Sequence, residues 1–191
     1  MKCKGFVLCL LGLALTAAAV SPEVQIVEIR TRMGDIEVEL YPDRAPLTVT
    51  NFLSYVEGRA YDNCAFFRVV RPDNQPNDQI RIEVIQAGDL AEEKCRPPIR
   101  LERTSETGLT HCDGAISMAR GAPDSAQASF FICINDQPQL DFGGLRNPDG
   151  QGFAAFGKVI QGMEVVRSIQ RLPTNGQTLI EPVTILWIRK K

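Results

Sequence analysis

Apolar and polar residues alternate with a period of two along most of the chain after residue 23, which is typical of β-strands with one buried face. The first such stretch, residues 24–32, is rich in β-branched side chains and leads into the turn Met33-Gly34-Asp35. Acidic residues then alternate with three apolar ones, Ile36, Val38 and Leu40. Together these runs predict an antiparallel hairpin.

Similar short runs recur to the end of the chain and predict further strands. They cover residues 66–70, 80–84, 115–118, 130–134, 153–160 and 183–190, with a polar loop at 72–79. In the last run, Val183, Ile185 and Trp187 fall on one face, while Leu186 and Ile188 fall on the other. A strand that is apolar on both faces suits a closed barrel with another element packed outside it.

Two segments show the helical period instead. The first places apolar residues at i, i+3, i+4 and i+7, namely Val49, Phe52, Leu53 and Val56, and Gly58 follows as a stop. The second covers residues 163–172, with one apolar stripe, and Pro173 ends it. Many short strands with two helices, and no regular alternation between them, favour a mainly β protein, an antiparallel barrel with helical caps.

The first twenty residues have a different pattern, which predicts a secretory signal peptide. Lys2 and Lys4 precede an uncharged run whose apolar centre is residues 6–15 and whose end is the small-residue segment 17–19. The alternative is a retained membrane anchor, but a spanning helix needs about 20 apolar residues. We therefore expect cleavage near Ala19, a mature domain over residues 21–191, and a periplasmic or secreted protein without stable membrane insertion.

Composition and charge exclude some classes of function, namely nucleic-acid binding and certain metal and redox sites. With 44% hydrophobic and 23% charged residues in 191, the chain can bury the core of one domain. Residues 1–20 contain two lysines and no acids, so the formal net charge of −2 becomes −4 without them, which gives no basic surface for nucleic acid. The only histidine is His111, and no Cys-x-x-Cys pair occurs. These counts exclude a His-rich metal site, zinc ribbons and thioredoxin-type redox motifs, and the sequence predicts no metal ligands.

The mature chain keeps four cysteines, which allow three pairings if two disulfides form. Cys95 and Cys112 flank one long polar loop and are the favoured pair in an exported protein. Cys133 lies within an apolar run, and we expect it to be a buried free thiol.

Two motifs suggest other chemistry but do not fit it. Gly152 to Lys158 has the spacing of a phosphate-binding loop, yet the next residue is Val159, where magnesium binding requires Ser or Thr. A hydrolase using His111 with Cys112 or a serine is a second alternative. A single histidine in a polar loop is more often simply solvated, so this alternative has little support.

Polar residues inside apolar strands are the stronger signal. Arg68 stands in the middle of the run 66–70, and Gln86 ends the run that begins at Val84. Because burying a bare guanidinium is costly, Arg68 must face a cleft or find partners, unless it stands on an edge strand and reaches solvent. Taken alone, the edge position is the better interpretation. Further on, Ser117 to Arg120 and Ser129 to Asn135 repeat this mixture of polar and apolar residues.

In this order, these segments resemble the cyclophilins, a family of peptidyl-prolyl cis–trans isomerases. The resemblance runs from about Val27 to Ile188. It is carried by residues 34–40, 45–52, 67–70 (Phe-Arg-Val-Val), 86–89 (Gln-Ala-Gly-Asp), 117–119 (Ser-Met-Ala), 130–132 (Phe-Phe-Ile), 156–159 (Phe-Gly-Lys-Val) and 162–166 (Gly-Met-Glu-Val-Val). It implies a closed eight-stranded antiparallel barrel that is capped by two helices and needs no cofactor. It also implies that the partners are proline-containing polypeptides, and we expect the protein to be a monomer.

The resemblance also implies roles for individual residues. Arg68 matches the family's catalytic arginine, and Gln86 matches the glutamine that holds the substrate carbonyl. Phe131 matches the floor of the proline pocket, and Ala119 matches the small residue that lines the peptide groove. These four positions predict an isomerase site.

Several positions depart from the usual family pattern. Three lie on the substrate-binding walls, where Val84, Ser129 and Phe153 replace the usual methionine, glutamine and histidine. Glu83 replaces a pocket phenylalanine, and the loop 71–81 is longer than usual. Because Glu83 and Ser129 replace groups that shape the pocket, they leave a second interpretation open, a weakly catalytic or non-catalytic member of the fold that binds proline peptides as a chaperone or binding module.

Overall fold

The computed structural model describes residues 24–75 and 79–191, so the predicted signal peptide lies outside the described residues. The described strands are β1 (Gln25–Thr31), β2 (Gly34–Leu40), β3 (Ala65–Val70), β4 (Val84–Ala87), β5 (Ala115–Met118), β6 (Phe130–Cys133), β7 (Ala154–Gln161), β8 (Thr174–Asn175) and β9 (Thr178–Lys190). The α-helices are α1 (Pro46–Glu57), α2 (Thr104–Thr107) and α3 (Met163–Gln170). Single 3-10 turns form at Glu92–Lys94 and Pro138–Leu140.

Every strand pairs with its neighbours in antiparallel fashion. The order is β1-β2-β7-β5-β6-β4-β3-β9-β8, and pairing of β1 with β9 closes the first eight into a barrel. This confirms the closed eight-stranded antiparallel barrel. The two-residue strand β8 forms a hairpin with β9, next to the eight strands that close the barrel. The four-residue helix α2 was not predicted from the apolar period.

The start of β4 was predicted four residues too early. Residues 80–83 are irregular, because the buried side chain of Gln75 takes the place of a neighbouring strand there. Gln75 Nε2 donates to the carbonyl of Ile82 at 2.9 Å, and the Ile82 amide donates to Gln75 Oε1 at 3.2 Å. An amide side chain thus satisfies backbone groups that a strand would have satisfied.

The last strand, β9, does not bury both faces as expected. A register shift beside Arg30 and Thr31 makes Leu186 an extra residue, since Thr31 pairs with Ile185 and Arg30 with Trp187. The bulge changes the alternation, so that Ile185 and Ile188 both point into the core while Leu186 is exposed.

The core is the barrel interior, closed by α1 through its aromatic side chain Phe52. The Phe52 ring lies 5.2–5.4 Å from the rings of Tyr61, Phe130 and Phe156. At another part of the barrel, α3 contributes Val166 and Ile169 to the same core. No helix among residues 24–75 and 79–191 has the length and apolar character needed to cross a bilayer.

The predicted disulfide between Cys95 and Cys112 is absent, and all four cysteines of the described chain are free. The reason is their location: Cys95 packs against the main core, whereas Cys112 packs against a separate small cluster beneath the site described below. Cys133 is a buried free thiol as predicted, and burial raises its pKa well above the usual value. Burial likewise raises the pKa of Cys64 to about 12.

The N-terminus of α1 is capped by a carboxylate from far along the chain. Its N-cap residue is Ala45, which offers no side-chain acceptor. Glu102, buried to 4% exposure, instead accepts from the amides of Leu47 and Thr48 at 3.1 and 2.8 Å and from the Thr48 hydroxyl at 2.7 Å. A carboxylate at this end of a helix also interacts favourably with the helix dipole.

We therefore expect Glu102→Ala to lower the free energy of unfolding by about 1–3 kcal/mol, because buried donors of α1 lose their acceptor. Urea unfolding followed by circular dichroism measures this difference. Glu102→Gln keeps one acceptor oxygen and should lose less. Equal stability of Glu102→Ala and the wild type would show that water caps the helix equally well.

Candidate active site

A cavity of about 320 Å³ opens on the barrel wall where β3, β4 and β6 lie side by side. It collects most of the residues that the sequence predicted for the site. The predicted residues that line it are Arg68, Val84, Gln86, Ala119, Phe131 and Phe153. Ser129 lines an adjoining groove of about 370 Å³ that shares Gln86 and Ala119 with the cavity.

A β-bulge in β3 aligns the two polar side chains. Phe66 pairs with Ala87 and Arg68 pairs with Gln86, so Phe67 is the extra residue. Phe66 is buried in the core, while Arg68 lies directly across from Gln86 and lines the cavity. Bulges of this kind re-aim a side chain beside an active site.

The Arg68 guanidinium is held between two amide oxygens. Its NH1 donates to Gln86 Oε1 at 2.7 Å, and its Nε donates to Gln177 Oε1 at 3.0 Å. NH2 donates to the same Gln177 oxygen. Burial lowers the pKa of Arg68, and the positive charge of the nearby Arg146 lowers it further. An arginine remains protonated despite such shifts, so the cavity contains a fixed positive charge.

Gln86 is fixed in turn by Ser129. The Gln86 Nε2 donates to Ser129 Oγ at 3.0 Å, and that hydroxyl donates to the carbonyl of Ala87 at 3.0 Å. The residue that replaces the family's glutamine therefore orients the amide that faces the cavity.

Phe131 forms the floor between two other rings. The ring of Phe153 meets it edge-on with centroids 5.6 Å apart, and the His111 ring stacks beneath it at 5.9 Å. Phe131 is 5% exposed, and its neighbour in sequence, Phe130, faces the barrel core on the other side of the strand. Apolar walls of this kind exclude water from a bound apolar group.

His111 is buried and hydrogen-bonded, so the prediction of a solvated histidine was wrong. Its Nδ1 lies 2.7 Å from Asp141 Oδ1, and its Nε2 lies 2.9 Å from Ser117 Oγ. This order of groups resembles a Ser-His-Asp triad. However, Ser117 is fully buried, and a substrate cannot reach its oxygen. The hydrolase alternative therefore lacks an accessible serine here, and both ring nitrogens of His111 are bonded to Asp141 and Ser117, so neither is left to activate the partly exposed Cys112. His111, Ser117 and Asp141 instead support Phe131 from below.

Glu83 does not line the cavity, although its sequence position suggested this. Its carboxylate accepts from Asn135 Nδ2 at 3.1 Å and from Gln170 Nε2 at 3.3 Å, while the neighbouring Ile82 faces the cavity. Ile82 thus supplies an apolar wall of the cavity. Its place in an alternating run was the available signal, since Ile82, Val84 and Gln86 all line the cavity.

The sequence also did not reveal two polar residues from distant loops. Arg146 lines the cavity and donates through NH1 to the Ile80 carbonyl at 2.9 Å and to Gln75 Oε1 at 3.3 Å. It thereby joins two loops at the cavity rim. Gln177 comes from the turn between β8 and β9 and is discussed below. No motif marks either residue, because only the folded chain brings them to Arg68.

Arg120 supports the outer wall. Its guanidinium lies 5.1 Å from the centre of the Phe153 ring and forms a two-point ion pair with Asp149 at 2.7 and 2.9 Å. Bonding to Arg120 lowers the pKa of Asp149 from 3.8 to about 2. The charged carboxylate is therefore favoured in the folded state.

Since the pKa is lower in the folded state than in the unfolded state, the Asp149 contribution to stability is complete above pH 4. It is lost as the pH falls toward about 2. We expect the stability difference between wild type and Asp149→Asn to shrink over this range. Urea unfolding at a series of pH values measures this. A difference that stays constant down to pH 2 would contradict the ion pair.

Comparisons with known proteins agree with this geometry. The family model "Cyclophilin type peptidyl-prolyl cis-trans isomerase/CLD" matches residues 26–190. A peptidyl-prolyl cis-trans isomerase of Acinetobacter baylyi is 36% identical over 186 residues, covering 94% of this chain and 92% of that protein. Isomerase B of Escherichia coli is 34% identical over 163 residues, covering 83% and 92%.

A crystal structure of a Cryptosporidium parvum cyclophilin superposes with a TM-score of 0.70 at 23% identity, covering 88% of this chain and 98% of that one. The same protein was also crystallised in the presence of the dipeptide Ala-Pro. This likeness shows the fold, and the family model and the two bacterial relatives show the family. The chain belongs to the cyclophilin-type peptidyl-prolyl cis-trans isomerases.

Proposed function

We propose that Arg68, Gln86 and Phe131 carry the isomerase reaction in this chain, and that its substrates are Xaa-Pro bonds of exported proteins during folding. The observation that supports these roles best is the fixed Arg68 guanidinium beside the apolar cavity.

The reaction requires rotation about one amide bond. The barrier is about 18–20 kcal/mol, because resonance gives the bond partial double-bond character. Unaided exchange takes tens to hundreds of seconds. As the amide twists, its resonance is lost and the proline nitrogen becomes a hydrogen-bond acceptor. A catalyst that binds the twisted amide more tightly than either planar isomer lowers the barrier.

Arg68 is placed to bind the twisted amide more tightly than either planar isomer. Its guanidinium can donate to the proline nitrogen of the twisted amide or to the adjacent carbonyl, and a charge-assisted bond contributes roughly 1.5–3 kcal/mol. A thousandfold acceleration requires about 4 kcal/mol. Arg68 alone is therefore insufficient, and the remaining stabilisation must come from the cavity itself.

The apolar wall supplies this remainder. A proline ring seated on Phe131 and against Phe153 is held still and shielded from water while the preceding residue rotates. Gln86, fixed by Ser129, is positioned to hold the substrate carbonyl. Val84 and Ala119 complete the walls on which the peptide lies.

Exchange spectroscopy on an Ala-Pro peptide with the purified protein over residues 21–191 tests this activity directly. We expect cis and trans signals to broaden or exchange at catalytic protein concentrations. Binding of the peptide without accelerated exchange would instead support the chaperone interpretation. Of the two substitutions that motivated that interpretation, Glu83 lies outside the cavity and Ser129 holds Gln86.

The role in exported proteins rests on the pattern of residues 1–20. We expect the protein to be found outside the cytoplasm, periplasmic or secreted, as a monomer without a membrane anchor and with a new N-terminus near residue 20. Cell fractionation with N-terminal sequencing and size-exclusion chromatography tests each point. An uncleaved protein in the cytoplasmic fraction would refute export.

A further inference from the structure

The second amide that holds Arg68 comes from outside the predicted site. We propose that Gln177 is a positioning residue for the isomerase reaction, which orients Arg68 through a neutral acceptor and so leaves its positive charge for the substrate. This inference rests on the proposed role of Arg68. It concerns a side chain that lines neither the cavity nor the adjoining groove.

Gln177 lies in the tight turn between β8 and β9, where Gly176 adopts a φ of 59°. The backbone of this turn is bonded to β3, since the Val69 amide donates to the Gln177 carbonyl at 2.9 Å. Asn74 joins both elements, because its Nδ2 donates to the carbonyls of Val69 and Gly176 at 3.1 and 3.2 Å. The base from which the Gln177 side chain extends is therefore fixed.

The orientation of the Gln177 amide is determined by its partners. Its Oε1 faces the Arg68 Nε at 3.0 Å and also accepts from NH2, and its Nε2 donates to the Asn74 carbonyl at 3.4 Å. A guanidinium only donates, so the oxygen must face it. Gln86 occupies the NH1 side, and the two amides fix the guanidinium from both sides.

The chemical type of these acceptors is the central observation. Within the described residues, the side-chain acceptors that bond Arg68 are amide oxygens, whereas Arg30, Arg120, Arg167 and Arg189 each pair with a carboxylate. A carboxylate beside Arg68 would fix it more strongly but would also cancel much of its field at the cavity. Neutral acceptors fix the geometry and retain the charge, as electrostatic stabilisation of a transition state requires.

Two substitutions separate the effect of fixing the Arg68 geometry from the effect of retaining its positive charge. Gln177→Leu removes the acceptor, and we expect kcat to fall about 3- to 10-fold with KM little changed, which is less than the loss of a whole charge-assisted bond because Gln86 still holds the NH1 side. Gln177→Glu is similar in size, and its stronger bond to Arg68 offsets the loss of the long 3.4 Å bond from Nε2 to the Asn74 carbonyl. We expect it to keep the thermal stability while kcat falls about 10-fold or more, because the new charge neutralises Arg68. Gln161→Leu and Gln161→Glu, at the exposed end of β7, are matched controls expected to behave as wild type.

Nuclear magnetic resonance of the Arg68 Nε–H adds a readout that fold stability alone does not move. We expect slow solvent exchange of this proton in wild type and Gln177→Glu, and fast exchange in Gln177→Leu. Wild-type kcat in either Gln177 variant, or a change confined to KM, would overturn the proposal. Arg68→Ala is measured in parallel. If it retains activity, the proposed role of Arg68 fails; if it alone loses activity, only the inference on Gln177 fails.

Discussion

Replacing Arg68 with alanine is expected to lower kcat/KM for Xaa-Pro isomerisation about 10- to 150-fold, the equivalent of one charge-assisted hydrogen bond of roughly 1.5–3 kcal/mol. The loss should appear in kcat, because the proline nitrogen becomes an acceptor for Arg68 only when the amide twists. Arg68 is half-buried at the cavity, and water can reach the space that it leaves. The free energy of unfolding should therefore change little. Exchange spectroscopy and urea unfolding of the same sample measure the two effects.

Arg68→Lys is the matched control for charge. It keeps a positive charge but loses the planar fork that bonds Gln86 and Gln177 together. We expect an activity between those of wild type and Arg68→Ala. An Arg68→Ala protein with wild-type activity would exclude this residue as the catalytic group and would leave the apolar cavity as the main source of acceleration.

The largest loss of stability is expected from Phe130→Ala. Its ring is fully buried and meets the rings of Phe52, Tyr61 and Phe66 edge-on, with centroids 5.4–6.1 Å apart. Removing a ring from a packed core costs about 3–5 kcal/mol, because the lost burial is combined with a cavity that neighbours fill only in part. Urea unfolding should show this as a lower midpoint with an unchanged slope.

The adjacent substitution, Phe131→Ala, is the informative comparison. Phe131 borders a cavity that is already open, so its loss should cost less stability than the loss of Phe130. It should, however, reduce activity strongly, because the proline ring loses its floor. If both variants lost stability equally while activity followed stability, Phe131 would be a core residue and not a binding residue.

The chain pattern predicted the barrel well where a strand buries mainly one face, as β1 and β2 do. Thus α1, β1 and β2 follow directly from their apolar periods. The prediction failed where the regular period is interrupted: Gln75 replaces a strand partner before β4, and the Leu186 bulge reverses the alternation in β9. Local pattern carries no signal for such features, because both depend on which segments become neighbours.

The predictions for the site divide in the same way, between residues that local pattern marks and residues that only folding brings together. The residues on strands, Arg68, Gln86 and Phe131, were predicted because each stands in a run that resembles the family. Gln177 was missed because it lies 109 residues from Arg68 in sequence, and an isolated glutamine in a turn has no distinguishing pattern. His111 was misread for a related reason, since Asp141 and Ser117 meet it only after folding.

Closure of the barrel has a consequence for self-association. Extended peptides readily add to a sheet whose edge strand has unpaired amides and carbonyls. In the described chain, β1 pairs with both β2 and β9, so the eight-stranded ring offers no such template, and the one terminal strand, β8, has only two residues. A protein that handles extended polypeptides can therefore hold a proline segment in its cavity without becoming a seed for cross-strand aggregation.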